Sequence, residues 1–128
     1  MKQVAERVSA AIQETFPEAH LLGVSYYDED GVGHVYRSDR RAEEYDAERV
    51  DEIVEDLRLE SISFGAHERR QAATLHATAR LYDKMLDISV PVAETEGIVV
   101  ALHRAGDYRA RKVVDLVEEV ADDSDLVE

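Results

Sequence analysis

The sequence contains no cysteine and no tryptophan, and only three of its 15 basic residues are lysine. Without cysteine there is no disulfide, no thiolate nucleophile and no thiolate metal site. No apolar run approaches the roughly 20 residues that span a bilayer. Residues 1–7 are charged and polar, with no apolar signal-peptide core behind them. We therefore expect a soluble, cytoplasmic protein.

Acidic residues dominate what is present. The 128 residues include 29 Asp or Glu against 15 Lys or Arg, which gives a formal net charge of -14. A field of this sign repels phosphates, so free nucleic acid and anionic membranes are poor partners. The length suits one domain with a substantial core.

Hydrophobic periodicity predicts the order helix, strand, strand, helix, strand, strand, strand, helix. The elements are a helix over residues 2–16, a hairpin over 20–38, a helix over 46–59, a hairpin over 74–92, the strand "GIVVALH" over 97–103 and a helix that begins after Asp107. Segment 60–71 has no clear period, so we expect it to be irregular. Antiparallel hairpins with helices gathered on one face predict an α+β domain over 1–121 with a single five-stranded antiparallel sheet. An acidic tail over 122–128 is expected to follow it.

The hairpin over 74–92 specifies its own register. Apolar residues alternate with polar ones along both strands, and the turn is centred between Asp83 and Lys84. A slip of one residue would expose the whole apolar set. The predicted cross-strand pairs are Leu81–Leu86, Ala79–Ile88, Ala77–Val90 and Leu75–Val92 on the apolar face, and Arg80–Asp87 and Thr78–Ser89 on the polar face. The strand "GIVVALH" is apolar almost throughout, which predicts a central position with both faces covered.

The polar face of this hairpin is open to two interpretations. An Arg–Asp pair and a Thr–Ser pair are what an ordinary solvated or partner-facing sheet carries. The same side chains could instead contact a ligand. The candidate residues for a ligand or partner face are His76, Thr78, Arg80 and Asp87.

No motif in the sequence indicates catalysis or metal binding. The five histidines form no HExxH and no i, i+4 pair, and a metal site built across strands is the weaker alternative to surface histidines. Ser25, Ser61, Ser63 and Ser89 have no GxSxG elbow around them. We expect no catalytic residue, no metal and no cofactor.

The order of elements resembles the Roadblock (dynein light chain) family across residues 3–121. The resemblance lies in "LLGVSYYDEDGVGHVYRSD" after a first helix and in "MLDISVPVAETEGIVVALHRAGDYRARKVVDLVEEV" at the end. It implies a Roadblock/profilin-like fold and a non-enzymatic scaffold or regulator of small GTPases that usually dimerises. The partner would be a second copy or another protein, such as a small GTPase. The interface would be an edge strand or the second helix, through Val50, Ile53, Val54 and Leu57.

The acidity and the segment "YDAERVDEIVEDLRLES" also resemble small acidic proteins of haloarchaea. The alternative is an acidic protein of a mesophile. For function, the competing hypothesis is a PAS-like or GAF-like sensory domain, which keeps a ligand cavity in its core, and an enzyme is a third class. If both terminal helices pack on the sheet, little room remains for a ligand.

Overall fold

The computed structural model describes residues 1–104 and 106–127, with side chains as far as residue 123. Within these residues the helices are α1 (Lys2–Thr15), α2 (Asp39–Glu44), α3 (Ala47–Glu60), α4 (Phe64–Gln71) and α5 (Ala110–Val127). The strands are β1 (Leu21–Asp28), β2 (Gly31–Arg37), β3 (Thr78–Leu81), β4 (Met85–Ala93) and β5 (Glu96–His103). None of the described helices is long and apolar enough to cross a membrane.

The strands form one antiparallel sheet in the order β2-β1-β5-β4-β3. The predicted register of the β3–β4 hairpin is confirmed over Thr78–Leu81, where Thr78 pairs with Ser89, Arg80 with Asp87 and Leu81 with Leu86. The predicted pairs Ala77–Val90 and Leu75–Val92 lie outside the ladder, since β3 begins at Thr78 and the Leu75 backbone donates to Glu68 instead. β5 is the central strand, and its residues 97–102 are buried. The sheet follows from two rules of pattern: alternation sets the register of a hairpin, and a continuous apolar run marks the centre.

Helices α1 and α5 cover one face of the sheet. Ile12 of α1 and Val113 and Val117 of α5 are fully buried there. They pack against the inward side chains of the strands, including Ile88 and Val100. Both terminal helices therefore fill this face, as an amphipathic stripe on each predicts.

Helix α3 covers the opposite face, and this corrects the expectation that the helices gather on one face. Val50, Val54 and Leu57 pack against Tyr27 and Val99 of the sheet. The face under α3 carries Ser25, Asp87 and Ser89, all buried. Polar residues at alternate positions of a strand predict a solvent-exposed face. Here that face is covered, because the apolar stripe of α3 packs against it.

Segment 60–71 is helical, contrary to the expectation of an irregular stretch. A 3₁₀ turn over Ser61–Ser63 leads into α4, which buries only Phe64. One buried residue leaves no hydrophobic period to detect. α5 continues through residues 122–127, which we expected to form a tail, and Glu128 lies outside the described residues.

Candidate functional site

A cavity of about 290 Å³ lies between α3 and the sheet. Its floor is low because Gly23 and Ala101 lie side by side on β1 and β5, with Asp87 next in the same row on β4. Two minimal side chains in adjacent strands leave a depression that α3 spans without filling. Apolar residues make most of the wall, namely Val50, Ile53, Val54 and Val99.

Asp87 is the most unusual group in this cavity. It is 3% exposed, and neither carboxylate oxygen has a hydrogen-bond partner among the described residues. Burial raises the pKa of Asp87, and the nearby positive charges of Arg41 and Arg80 oppose that rise. A buried acceptor without a donor costs free energy, which makes such a group a candidate for ligand contact.

Arg41 lines the same cavity from α2 and is 4% exposed. Ser38 caps α2 by accepting a hydrogen bond from the Arg41 backbone, which fixes where the side chain begins. The guanidinium lies 4.4 Å from the centre of the Tyr45 ring, and its Nη1 donates to the sulfur of Met85. A thioether is a weak acceptor. Within the described part of the chain, no oxygen accepts a hydrogen bond from this guanidinium.

A polar chain crosses the cavity wall from the sheet to α3. The Ser25 hydroxyl lies 2.7 Å from Nδ1 of His34, and Nε2 of His34 contacts the carboxylate of Asp51 on α3. Because a carboxylate only accepts, Nε2 of His34 donates to Asp51, and Nδ1 shares the second hydrogen bond with the Ser25 hydroxyl. β2 is bulged at Val35, so that His34, Val35 and Tyr36 all line the cavity.

These three residue types also form hydrolytic triads, but the setting differs. Ser25 lies inside β1 with a strand on each side, so that the backbone there is committed to the two ladders. Acyl transfer needs preorganised donors at the developing oxyanion. We interpret the Ser25–His34–Asp51 chain as a latch that holds α3 to β2. Sequence inspection missed it because the three residues lie on separate elements and form no motif.

The residues of the predicted polar face do not form one site. Arg80 pairs across the ladder with Asp87, but its guanidinium binds Asp56, at 2.8 Å, and Glu60 of α3. The predicted cross-strand pairing of Arg80 with Asp87 is confirmed, but the guanidinium forms its ion pairs with two carboxylates that α3 offers nearer the strand edge. The hydrogen bond to Asp56 raises the pKa of Arg80 above its ordinary value.

The other two residues of that set lie apart. His76 precedes β3, and its Nδ1 is 2.7 Å from a carboxylate oxygen of Glu118 on α5, on the opposite face of the sheet. Thr78 is half-buried beside Ser89. Only Asp87 of the predicted face reaches the cavity.

The four residues proposed for a helix-mediated interface lie against the chain's own sheet. Val50, Val54 and Leu57 are buried and Ile53 is half-buried. Their apolar stripe is already satisfied within one chain, which leaves little of it to offer a second copy. Among residues 1–104 and 106–123, no three His, Asp or Glu side chains gather as they would around a metal ion.

Solved structures similar to this one include a Roadblock/LC7 domain and MglB proteins. The Roadblock/LC7 domain from Streptomyces avermitilis superposes with a TM-score of 0.66 at 14% identity, over 99% of this chain and 96% of that one. A structure described as MglB with tetrameric arrangement gives 0.63 at 12% identity, over 94% and 92%. The gliding protein MglB from Thermus thermophilus gives 0.60 at 10% identity, over 94% and 92%. The Roadblock-like fold expected from the order of elements is thus confirmed.

The family follows from the sequence itself. Residues 6–122 match the model described as Domain of unknown function (DUF7522), and the chain belongs to that family. No curated protein sequence matches it significantly.

Proposed function

We propose that this chain is a non-catalytic interaction module that pairs with a second copy of itself through the β3 edge of its sheet. The observation that carries the proposal is the state of that edge. β2, at the other end of the sheet, has α1 and α3 packed against it. β3 leaves Ala79 and Leu81 exposed. An uncovered strand edge offers unpaired backbone groups to another strand.

Apolar side chains concentrate around this edge. Leu81 is 64% exposed and Tyr82, which follows it, is 46% exposed. The Arg80 bridges to Asp56 and Glu60 bring the end of α3 beside β3. Beyond that end, Ile62 is 81% exposed and lies towards Leu75 and Val92, at the other end of the hairpin. Exposed large apolar side chains along an edge favour a protein partner.

The wider setting of the proposal comes from the fold and the composition. A neighbour of the same fold, MglB, is described in a tetrameric arrangement. Roadblock-like modules regulate small GTPases, and we extend that partner class to this chain as a second binding activity of the dimer. The -14 charge and the scarcity of lysine support a source among halophilic archaea.

Light scattering in molar KCl tests the pairing. The wild-type mass is expected near twice 14.4 kDa. The Leu81→Lys variant is expected to lower it towards the monomer, because a charge on an edge opposes strand pairing. The added positive charge reduces the overall repulsion, so dissociation of this variant reports a local effect.

Ala10→Lys is the matched control, since Ala10 is exposed on α1 and the charge change is identical. It should keep the wild-type mass. A wild-type monomer at all protein concentrations, or equal masses for the two variants, contradicts pairing through β3.

A second candidate function is the sensing of a small ligand. The observation in its favour is the cavity under α3 with its buried, unpartnered carboxylate. α1 and α5 fill the other face of the sheet with buried apolar side chains. Native mass spectrometry of protein from a halophilic host should then show a small molecule in stoichiometric amount.

A further inference from the structure

The cavity under α3 places an acid and a base beneath an apolar wall that α3 supplies. Asp87 ends the floor, Arg41 enters from α2, and the wall above them is Val50, Ile53 and Val54. Both charged residues are more than nine-tenths buried. No ion pair joins them within the described residues.

The two charges attract each other without an ion pair between them, and neither has a hydrogen-bond partner of opposite charge among the described residues. Both oxygens of Asp87 accept, and neither has a donor among the described residues. The guanidinium of Arg41 has a thioether and a ring beside it, and its fork geometry suits a carboxylate. A charge in a low-dielectric enclosure is tolerable when it is paired and hydrogen-bonded.

We propose that the cavity binds a free α-amino acid with an apolar side chain. Its ammonium group donates to Asp87, its carboxylate accepts from Arg41, and its side chain lies against Val50 and Val54. A zwitterion satisfies both buried charges at once and adds no net charge to the enclosure. The volume of about 290 Å³ suits an amino acid of the size of valine or leucine, and is near the lower end of ligand pockets.

The residues that line the cavity explain why the side chain of the ligand should be small and apolar. The latch engages Ser25 and His34 on the sheet side, and Tyr36 and the exposed Arg37 of β2 complete that side of the cavity. The wall on the α3 side is branched aliphatic, which gains from burying an aliphatic chain. A polar or charged side chain that lies against the α3 wall would find no partner there and is expected to bind more weakly than an aliphatic one.

Calorimetric titration of the full chain in molar KCl tests the proposal with L-leucine as the probe. Two analogues separate its parts: isopentylamine lacks the carboxylate and 4-methylpentanoate lacks the ammonium group. L-Leucine is expected to bind at one site per chain, and each analogue roughly 10- to 100-fold more weakly, because each leaves one buried charge unpaired. An amine that binds as tightly as leucine overturns the zwitterion assignment.

Variants locate the site. Asp87→Asn should weaken L-leucine binding by roughly 10- to 100-fold, whereas Asp115→Asn, the same change at an exposed position of α5, should leave it unchanged. If Asp87→Asn fails to fold, Ala47→Phe provides a second variant that tests the same site. Ala47 is exposed at the start of α3 and lines the cavity, so a ring there obstructs it without entering the core. Unchanged binding in the folded Asp87→Asn or Ala47→Phe variant overturns the proposal.

The proposal rests on the second candidate function, and the two can fail separately. If L-leucine and L-valine do not bind, the amino-acid assignment is wrong. A different small molecule carried by the purified protein then leaves ligand sensing standing, and a protein that carries none removes both. Pairing through β3 is read from the mass and is independent of either result.

Discussion

Truncation of Leu57 to alanine is expected to destabilise each chain by about 3–5 kcal/mol. Leu57 is 2% exposed and belongs to the cluster that α3 forms with Tyr27 and Val99. Removal of a buried leucine loses the transfer free energy of the deleted atoms and leaves a cavity. At roughly 4 °C per kcal/mol for a chain of this size, the melting temperature should fall by about 12–20 °C.

Leu59 provides a matched control on the same helix. It is 55% exposed, so Leu59→Ala removes less than half of the burial that a core leucine contributes. Alanine also has the higher helix propensity. The expected loss is below about 1 kcal/mol.

Melting followed by circular dichroism at several protein concentrations distinguishes packing within one chain from pairing through α3. If α3 packs on its own sheet, the effect of Leu57→Ala persists at the lowest concentration. A melting temperature like that of the wild type, or an equal effect of Leu59→Ala, would refute the packing described for α3.

Three further predictions use the same assay. The melting temperature should rise as KCl increases from about 0.01 M to about 1 M, because the added salt shortens the Debye length from about 30 Å to about 3 Å and so screens the repulsion within the -14 net charge. A melting temperature that does not change with KCl contradicts salt adaptation. Gly97→Ala should destabilise by about 1–3 kcal/mol, since its Cβ would overlap the buried Tyr27 ring. Gly65→Ala in α4 meets only ordinary contacts and should stabilise by about 0.5–1 kcal/mol, so effects of the same sign would contradict this reasoning. Burial raises the pKa of Asp87 above 3.8, so the wild-type protein should lose stability as the pH rises through the folded-state pKa. Asp87→Asn removes this loss, so the variant should be more stable than the wild type above that pKa and no more stable below pH 3.8. A difference in stability that does not change with pH would be inconsistent with an ionising carboxylate.

The sheet was predictable from the sequence because its signals are local. The register of β3 and β4 follows from alternation within a single hairpin, and the central place of β5 follows from its own apolar run. The identity of the fold followed from the order of the elements alone. Each of these inferences needs only residues that are neighbours in the chain.

The second layer of helix was not predictable in the same way. In the sequence, Asp87 and Ser89 have the pattern of a solvent-exposed strand face. They are buried because α3 packs over them. The cavity depends on Gly23 and Ala101, which are far apart in the chain and meet across β1 and β5. A depression formed by small residues of different strands leaves no mark on any single stretch of sequence.

The absence of cysteine allows one direct measurement of the central claim, that two chains pair through β3. Single cysteines introduced in turn at positions 78–81 would be oxidised in molar KCl, with Arg37→Cys on the opposite edge of the sheet as the control. Paired antiparallel strands place opposing Cα atoms about 4.5–5.5 Å apart, which is within disulfide reach. The account predicts a disulfide-linked dimer for at least one position of β3 and none for position 37. Cross-linking at position 37 alone, or at no position in β3, would contradict it.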